Sequence, residues 1–248
     1  MQLPGDVTVV IAAKNEEATI VDVVAGCRPY ADDILVVVHC RCHDETAARA
    51  RAAGARVIED HGLGKGDAMR CAIDEIKTAI AVFIDADGSH DPRDIPRLVQ
   101  PIVDDVADHV GGSRLIGGSS ELHGGFDEFF RLTGSSLITA CINWRFGVRL
   151  SDSQNGFRAI RTDVLRQLGL TSNTTTIEQE MIMRSLGMRF RVAEVPSHEH
   201  KRVAGVSHIN IRRAALRYVW NVVQHLAFTR YPEKKAAARA ERRIPAHN

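Results

Sequence analysis

The chain has 248 residues, a formal net charge of +1 and 44% hydrophobic residues. That length suits one large α/β domain, or one domain plus a small appendage, with a sizeable core, and the near-neutral balance gives no argument for a nucleic-acid partner. No run of about 18 apolar residues occurs and the first residues carry neither a basic nor a long apolar region, so neither a spanning helix nor a signal peptide is expected. The cysteines Cys27, Cys40, Cys42, Cys71 and Cys141 are odd in number, which points to free thiols in a reducing cytoplasm.

Val7–Ala13 reads as a buried strand and Lys14-Asn-Glu-Glu17 as a polar turn. Ile20, Val23, Val24 and Cys27 then recur at helical spacing. Ile34–Val38 is a second strand, Asp44–Ala53 a helix stopped by Gly54, and Arg56–Ile58 a third strand. Gly64-Lys-Gly66 opens a helix whose apolar positions include Met69, Ala72, Ile73 and Ile76. Ile80–Ile84 is the fourth strand. This alternation predicts a mostly parallel sheet with right-handed crossovers. Beyond residue 105 the rhythm changes. A strand over Val110–Arg114 leads into a Gly-rich loop, followed by a long helix over Phe126–Phe146. Then come a strand at Gly156–Ile160, a brief helix from Thr162 or Asp163, a helix at Thr176–Leu186 and a strand at Phe190–Val195. A last helix covers 208–229, and the charged tail 232–248 is expected to be disordered.

The fourth strand runs into Asp85-Ala-Asp-Gly-Ser-His-Asp-Pro92. If the strand continued, Asp85 and Asp87 would share one face. Two carboxylates suit Mg²⁺ or Mn²⁺, and ligands in open α/β sheets bind at the carboxyl ends of strands. Asp91 fits a helix N-cap, Pro92 the first turn and Asp94 the third position. Those two acids are thereby assigned to structure, which leaves Asp85 and Asp87 for chemistry.

Seven segments line up in order: Ile11-Ala-Ala-Lys-Asn-Glu-Glu17, Gly64-Lys-Gly66, Phe83–Pro92, Gly112-Ser-Arg114, Asp152-Ser-Gln-Asn-Gly-Phe-Arg158, Glu178-Gln-Glu180 and Arg202–Ser207. Over residues 6–226 they resemble family 2 glycosyltransferases of the GT-A fold, in the dolichyl-phosphate mannose synthase and polyprenyl-phosphate glycosyltransferase branch. The resemblance implies an α/β fold with a mostly parallel central sheet and helices on both faces. It implies one domain over 1–231, with a nucleotide-sugar-binding half (1–105) and an acceptor-binding half with the C-terminal helix (106–231). It also implies an inverting transfer from a nucleotide-diphosphate sugar, with Mg²⁺ or Mn²⁺ held by Asp85 and Asp87.

Residue by residue, the resemblance places Ala13, Asn15 and Glu16 at the nucleoside pocket. Asp85 and Asp87 flank the metal and the donor diphosphate. Arg202 and Ser207 stand in a loop that closes over that diphosphate, with His208 where a lysine is common. Arg114, Arg131 and Ser135 match positions that hold an acceptor phosphate. Asp152, Gln154 and Gly156 match a segment near the sugar and acceptor. The largest departure follows the second strand. Where the family has Val-Asp-Asp-Gly-Ser-x-Asp-x-Thr, this chain reads Val38-His-Cys-Arg-Cys-His-Asp-Glu-Thr46. Asp44 and Thr46 fit, but His39 and Cys40 replace the paired aspartates and are expected to form a variant wall of the donor pocket.

Read without the family, Lys65 and Arg202 can add positive charge at a departing diphosphate. A hydroxyl acceptor needs a base, for which Asp152, Glu178 and Glu180 are candidates. A phosphate monoester, with a second pKa of ~6, needs only cations to position it, and Arg114 and Arg131 can supply them. The preferred acceptor is therefore a polyprenyl phosphate or another phosphorylated molecule, and a soluble hydroxyl is the alternative. His39-Cys-Arg-Cys-His43 invites a zinc reading, but four ligands in five residues cannot surround one ion from a single strand end. His90, His198 and His200 read as loop histidines. The 208–229 helix is basic and amphipathic, a candidate for contact with the inner face of a membrane. A nucleotidyltransferase would need a Gly-rich loop after the first strand, and Ala12-Ala-Lys-Asn15 is not one. A sugar-nucleotide-binding protein without catalysis is the remaining alternative, suggested by His39 and Cys40.

Overall fold

β1 (Val7–Ala13) lies inside the sheet, paired in parallel with β2 (Asp33–Val38) on one side and β4 (Ile80–Asp85) on the other. β3 (Arg56–Glu59) extends the sheet beyond β2. On the other flank come β6 (Arg158–Arg161), β5 (His109–Ser113) and β7 (Val192–Pro196), giving the order β3-β2-β1-β4-β6-β5-β7. β6 is antiparallel to both β4 and β5, and β7 is parallel to β5. Only β6 among the described strands runs against the rest, so the sheet is mostly parallel, as expected. The computed structural model describes residues 6–120, 126–201, 218–225, Thr229 and Tyr231, with the backbone alone for 126–133.

The apolar runs of β1, β2 and β4 are buried on both faces, as a sheet covered on both sides requires. Alternate residues of β1 feed two cores. Val7, Val9, Ile11 and Ala13 pack with residues of α1 (Ile20–Cys27) and α4 (Ile95–Val103). Val10 joins Leu35, Val37 and Phe83 against α3 (Lys65–Glu75), α7 (Thr162–Gln167) and α8 (Ile177–Gly187). A third cluster joins α6 (Phe126–Phe146) to α8 through Ile138, Ile142, Ile182 and Met183, with Val222 of the helical segment 218–225. α2 (Thr46–Ala52) follows β2, and the four-residue α5 (Arg114–Gly117) follows β5.

The elements depart from the expected boundaries for identifiable reasons. α2 starts at Thr46, not Asp44, because the Asp44 carboxylate accepts the Thr46 N–H, the Thr46 hydroxyl and the Glu17 N–H. These bonds hold Asp44 down at a pKa of about 2 and tie the turn after β1 to the turn after β2. β4 ends at Asp85 and a turn follows, so strand alternation does not carry to Asp87. Asp91 caps as expected, accepting the Arg93 N–H, but it opens a 3₁₀ turn over Pro92–Asp94 that leads into α4. Of the expected 208–229 helix, 218–225 is helical; its other residues, apart from Thr229, and the tail 232–248 lie outside the described residues.

Leu35 is fully buried in the middle of this sheet. Leu35→Ala is expected to cost about 2–5 kcal/mol in urea unfolding, whereas Val21→Ala, on an exposed face of α1, is expected to stay within about 0.5 kcal/mol of wild type.

Candidate active site

Four elements deliver charge to one point at the carboxyl end of β4. Lys65, the first residue of α3, places Nζ 2.5 Å from Asp85 Oδ1 and 2.6 Å from Glu178 Oε1. Asp85 closes β4, and Glu178 lies in the first turn of α8. His90 is buried, with Nε2 3.8 Å from Asp85 Oδ2 and its ring 5.2 Å from that of Phe157. Gly156 passes so close that a Cβ there would lie 2.9 Å from Lys65 Nζ and 3.1 Å from Asp85 Oδ2. Position 156, two residues before β6, must therefore lack a side chain. Beneath them Arg158, 1% exposed, donates from its guanidinium to the carbonyls of Glu178 and Asn155.

The electrostatics follow from this packing. Burial alone would raise the Asp85 pKa, but the Lys65 ammonium and then His90 more than offset it, and the carboxyl lies well below its ordinary range. Lys65 is held charged in the same way, burial being outweighed by Asp85 and Glu178. A second charged group adjoins the first. Asp152, 4% exposed, receives Arg114 Nε at 2.6 Å and Arg114 Nη2 at 3.0 Å, with Glu199 3.5 Å from Arg114 Nη1. Such bidentate, charge-assisted pairing is strong, and it holds Asp152 ionised against its burial.

Of the two carboxylates expected to hold Mg²⁺ or Mn²⁺, Asp85 ends β4 paired with Lys65 and Asp87 follows in the turn. Asp87 is 5% exposed, and its Oδ1 accepts the Ser89 N–H at 3.0 Å. Mg²⁺ is typically held by one or two carboxylates together with substrate phosphates. An all-oxygen pair at a strand end, beside the lysine cation, fits that ion class.

A family model for glycosyl transferase family 2 matches residues 8–169. The chain belongs to that family. Among curated relatives, Haloferax volcanii glycosyltransferase AglJ is 27% identical over 206 residues, which is 83% of this chain and 66% of that protein. A dolichyl-phosphate hexose transferase of the same organism is 28% identical over 77% of this chain and 81% of its own length. The crystal structure of Mycobacterium tuberculosis glucosyl-3-phosphoglycerate synthase, solved with Mn²⁺, UDP and its product, superposes with a TM-score of 0.71 at 23% identity, covering 93% of this chain and 82% of that one. The fold is GT-A.

Within this family 2 chain, the residues expected at the nucleoside pocket meet around the ends of β1 and β2. Ala13 accepts the His39 N–H, Asn15 Oδ1 accepts the His43 N–H, and the Glu16 N–H donates to Thr46 Oγ1. Asn15 reaches this position with a left-handed φ of 56°. Cys40 is exposed and His39 half-buried. Gln154 is half-buried, and its N–H donates to Asp152 Oδ1. Ser135 is half-buried on α6. The side chain of Arg131 lies outside the described residues, as do Arg202 and Ser207. His200, just before them, donates its N–H to Ser89 O beside the aspartate turn.

Three expectations require correction. Glu180 is not a catalytic base: it is fully buried, accepts the Thr171 and Ser172 N–H groups, and pairs with Arg184 Nε at 2.7 Å. Its carboxylate shapes the 171–174 loop against the start of α3, where Asn173 O accepts the Gly66 N–H. Asp152 as a base and Arg114 as an open phosphate clamp cancel, since each occupies the other. His90 lies in the loop after β4, as expected, but is buried beside Asp85. Sequence reasoning assigned no site role to Arg158. Its only signal was an arginine inside an otherwise apolar short strand.

Lys65 and Asp85 keep about a quarter of their side-chain surface exposed and Glu178 keeps 5%. Lys65→Met is therefore expected to cost about 3 kcal/mol at pH 7, the lower end for a broken buried ion pair. In wild type the depressed Asp85 pKa adds stability above the unfolded carboxylate pKa of ~4, which is lost as pH falls. In the variant, Asp85 loses its counter-charge and its pKa rises. The deficit measured by urea unfolding is then expected to shrink between pH 7 and about 4.

Proposed function

We propose that this protein is an inverting, metal-dependent glycosyltransferase that moves a sugar from a nucleotide-diphosphate donor to a phosphorylated acceptor, a polyprenyl phosphate. The observation that carries the reading is the carboxyl end of β4, where Asp85 pairs with Lys65 and the nearly buried Asp87 follows two residues later. The chemistry that Mg²⁺ or Mn²⁺ supplies when bound to Asp85 and Asp87 is neutralisation of charge building on the departing diphosphate. Lys65 adds a second fixed cation, kept charged by Asp85 and Glu178. Arg158 and Gly156 hold the floor of the site still. Ala13, Asn15, Glu16, His39 and Cys40 line the nucleoside side in this reading. Arg202 and Ser207 belong to the segment that covers the diphosphate.

The choice of acceptor rests on the carboxylates. Each acid that could deprotonate a hydroxyl is already bound to a cation: Asp152 to Arg114, Glu178 to Lys65, Glu180 to Arg184. Acids held ionised in this way are weak bases. A phosphate monoester, largely a dianion at neutral pH, needs none. Arg131 and Ser135 are the residues left to position it, and a relative named as a dolichyl-phosphate hexose transferase supports that class.

Among the described residues no helix is long and apolar enough to cross a membrane. A lipid-linked acceptor would be met at a surface, and both tryptophans of the chain are exposed, Trp144 by 85% and Trp220 by 65%. Leu137, seven residues before Trp144 on α6, and Val219 and Val223 beside Trp220 are exposed too. Exposed tryptophan among aliphatic residues suits the membrane interface. Peripheral association with the cytoplasmic face follows from this reading.

Transfer from a panel of nucleotide-diphosphate sugars to a polyprenyl phosphate in Mn²⁺ tests the function. Asp87→Asn is expected to lower transfer by ~100-fold or more, and the product anomer should be inverted. Near-wild-type transfer by that variant would sink the metal assignment. Turnover on soluble sugar alcohols but not on lipid phosphate would sink the acceptor.

Because the chain has two tryptophans and both are exposed, membrane contact has an intrinsic reporter. Vesicles with an anionic lipid are expected to shift the emission to the blue. Trp144→Glu and Trp220→Glu should each weaken partitioning. Emission unchanged at saturating lipid would rule out insertion of this surface.

A further inference from the structure

The ends of β2 and β3 bring together three groups, two of which, His39 and Cys40, the transferase reading places beside the nucleoside and none of which it gives a part in the transfer step. The strands pair in parallel with Val38 opposite Glu59, and the Asp60 N–H donates to Val38 O. One step further along, His39 and Cys40 therefore lie beside Asp60. A ring nitrogen of His39, Cys40 Sγ and a carboxylate oxygen of Asp60 all fall within 4.8 Å of one another. Asp60 is 6% exposed and has no basic partner among the described residues. Its Oδ1 accepts the Cys40 N–H at 3.1 Å and the Gly62 N–H at 2.8 Å. These bonds fix the carboxylate and leave Oδ2 for a ligand. A buried carboxylate without a counter-cation is costly.

We propose that His39, Cys40 and Asp60 bind a borderline-soft divalent cation, Zn²⁺ first, at a site separate from the Asp85/Asp87 pair. The donor set decides the ion: thiolate and imidazole select zinc over Mg²⁺ and Mn²⁺. The objection raised by the sequence, that one strand end cannot surround an ion, is met by Asp60, which arrives from a second strand. Zinc bonds of ~2.0–2.3 Å set ligand atoms roughly 3.5 Å apart, so the side chains close by about an ångström. If His39 binds through Nδ1, that atom releases the Arg41 N–H, an exposed donor that water can satisfy. Gly62, at φ 80°, keeps the space beside the thiol open: a Cβ there would lie 2.7 Å from Cys40 Sγ. Since Cys40 is exposed, water can complete the coordination shell. With β1 lying between β2 and β4, the ion would sit about 10 Å from Asp85 at two strand spacings.

A neighbouring group of His61, Asp67 and Cys71 is the rival site. There the Asp67 carboxylate is already satisfied by the His61 and Leu63 N–H groups, the His61 ring and Arg70. The Cys71 thiol is pushed up by burial and by nearby Asp67 and Asp60, which disfavours the thiolate a metal needs.

The full-length protein, reduced and stripped by a chelator, is titrated with Co²⁺ as an optical stand-in for Zn²⁺. One equivalent is expected to give tetrahedral visible bands and a thiolate-to-cobalt charge-transfer band. Zn²⁺ should bleach them and excess Mg²⁺ should not. Removing even an outer partner of a metal ligand costs ~10–100-fold in affinity. Cys40→Ser is therefore expected to abolish the charge-transfer band, and His39→Ala and Asp60→Asn to weaken binding more than about tenfold. Asp85→Asn and Cys71→Ser should keep the band. Circular dichroism checks that each variant is folded. No band in wild type, a band that survives Cys40→Ser, or one lost in Cys71→Ser overturns the proposal. The readout needs no turnover, so failure of the transferase reading leaves it standing.

Discussion

The Lys65 ammonium is the group on which the site depends. Asp85 comes from the first half of the chain and Glu178 from the second, and one cation binds both at 2.5 and 2.6 Å. Two carboxylates this close repel each other unless a positive charge lies between them. Every neighbouring feature serves that arrangement. Gly156 must lack a Cβ, the 171–174 loop must seat the start of α3, and Glu180 must hold that loop through its N–H groups. A carboxylate more than ninety residues from Asp85 thus fixes the approach of Lys65 without touching the reacting atoms. The same pairing keeps Asp85 ionised.

The first half of the fold was legible because its information is local. Apolar runs buried on both faces, helices at regular spacing and Gly-rich breaks identify β1 to β4 with boundaries shifted by a residue or two. The place of β6 was not legible. Its antiparallel insertion between β4 and β5 is set by long-range packing rather than by its own short sequence. The burial of the start of α8 was not legible for a related reason. Glu178-Gln-Glu180 carries the signature of a solvated turn, yet all three residues are buried. The two glutamates can be buried because Lys65, Arg184 and the 171–172 amides are supplied to them. A charge's partners, not its own identity, decide whether it faces water.

The same principle governs the end of β2. His39 and Cys40 looked like substitutions in a donor-pocket wall, and from one strand nothing more could be said. Asp60 changes their meaning, because strand pairing brings a third, buried donor group beside them. The turn after β1 is bound into this region by Asn15 and by Asp44, which join the 14–17 turn to the 39–46 turn.

Chain direction explains how the two halves came to share a site. In a parallel sheet all the carboxyl ends lie along one edge, and β1, β2 and β4 deliver Asn15, His39 and Asp85 there. β5 runs the same way and delivers Arg114 to that edge, since it is antiparallel to β6, which is antiparallel to β4. The reversed β6 does something the others cannot. Its amino end lies at the same edge, so the segment that enters it, Asp152 to Phe157, crosses the site before the strand begins. That crossing puts Gly156 against Lys65 and Asp152 against Arg114. A parallel strand in this position would have brought its exit loop instead, and Arg158, its first residue, would have been carried to the far edge, away from the carbonyls of Asn155 and Glu178 that it now holds.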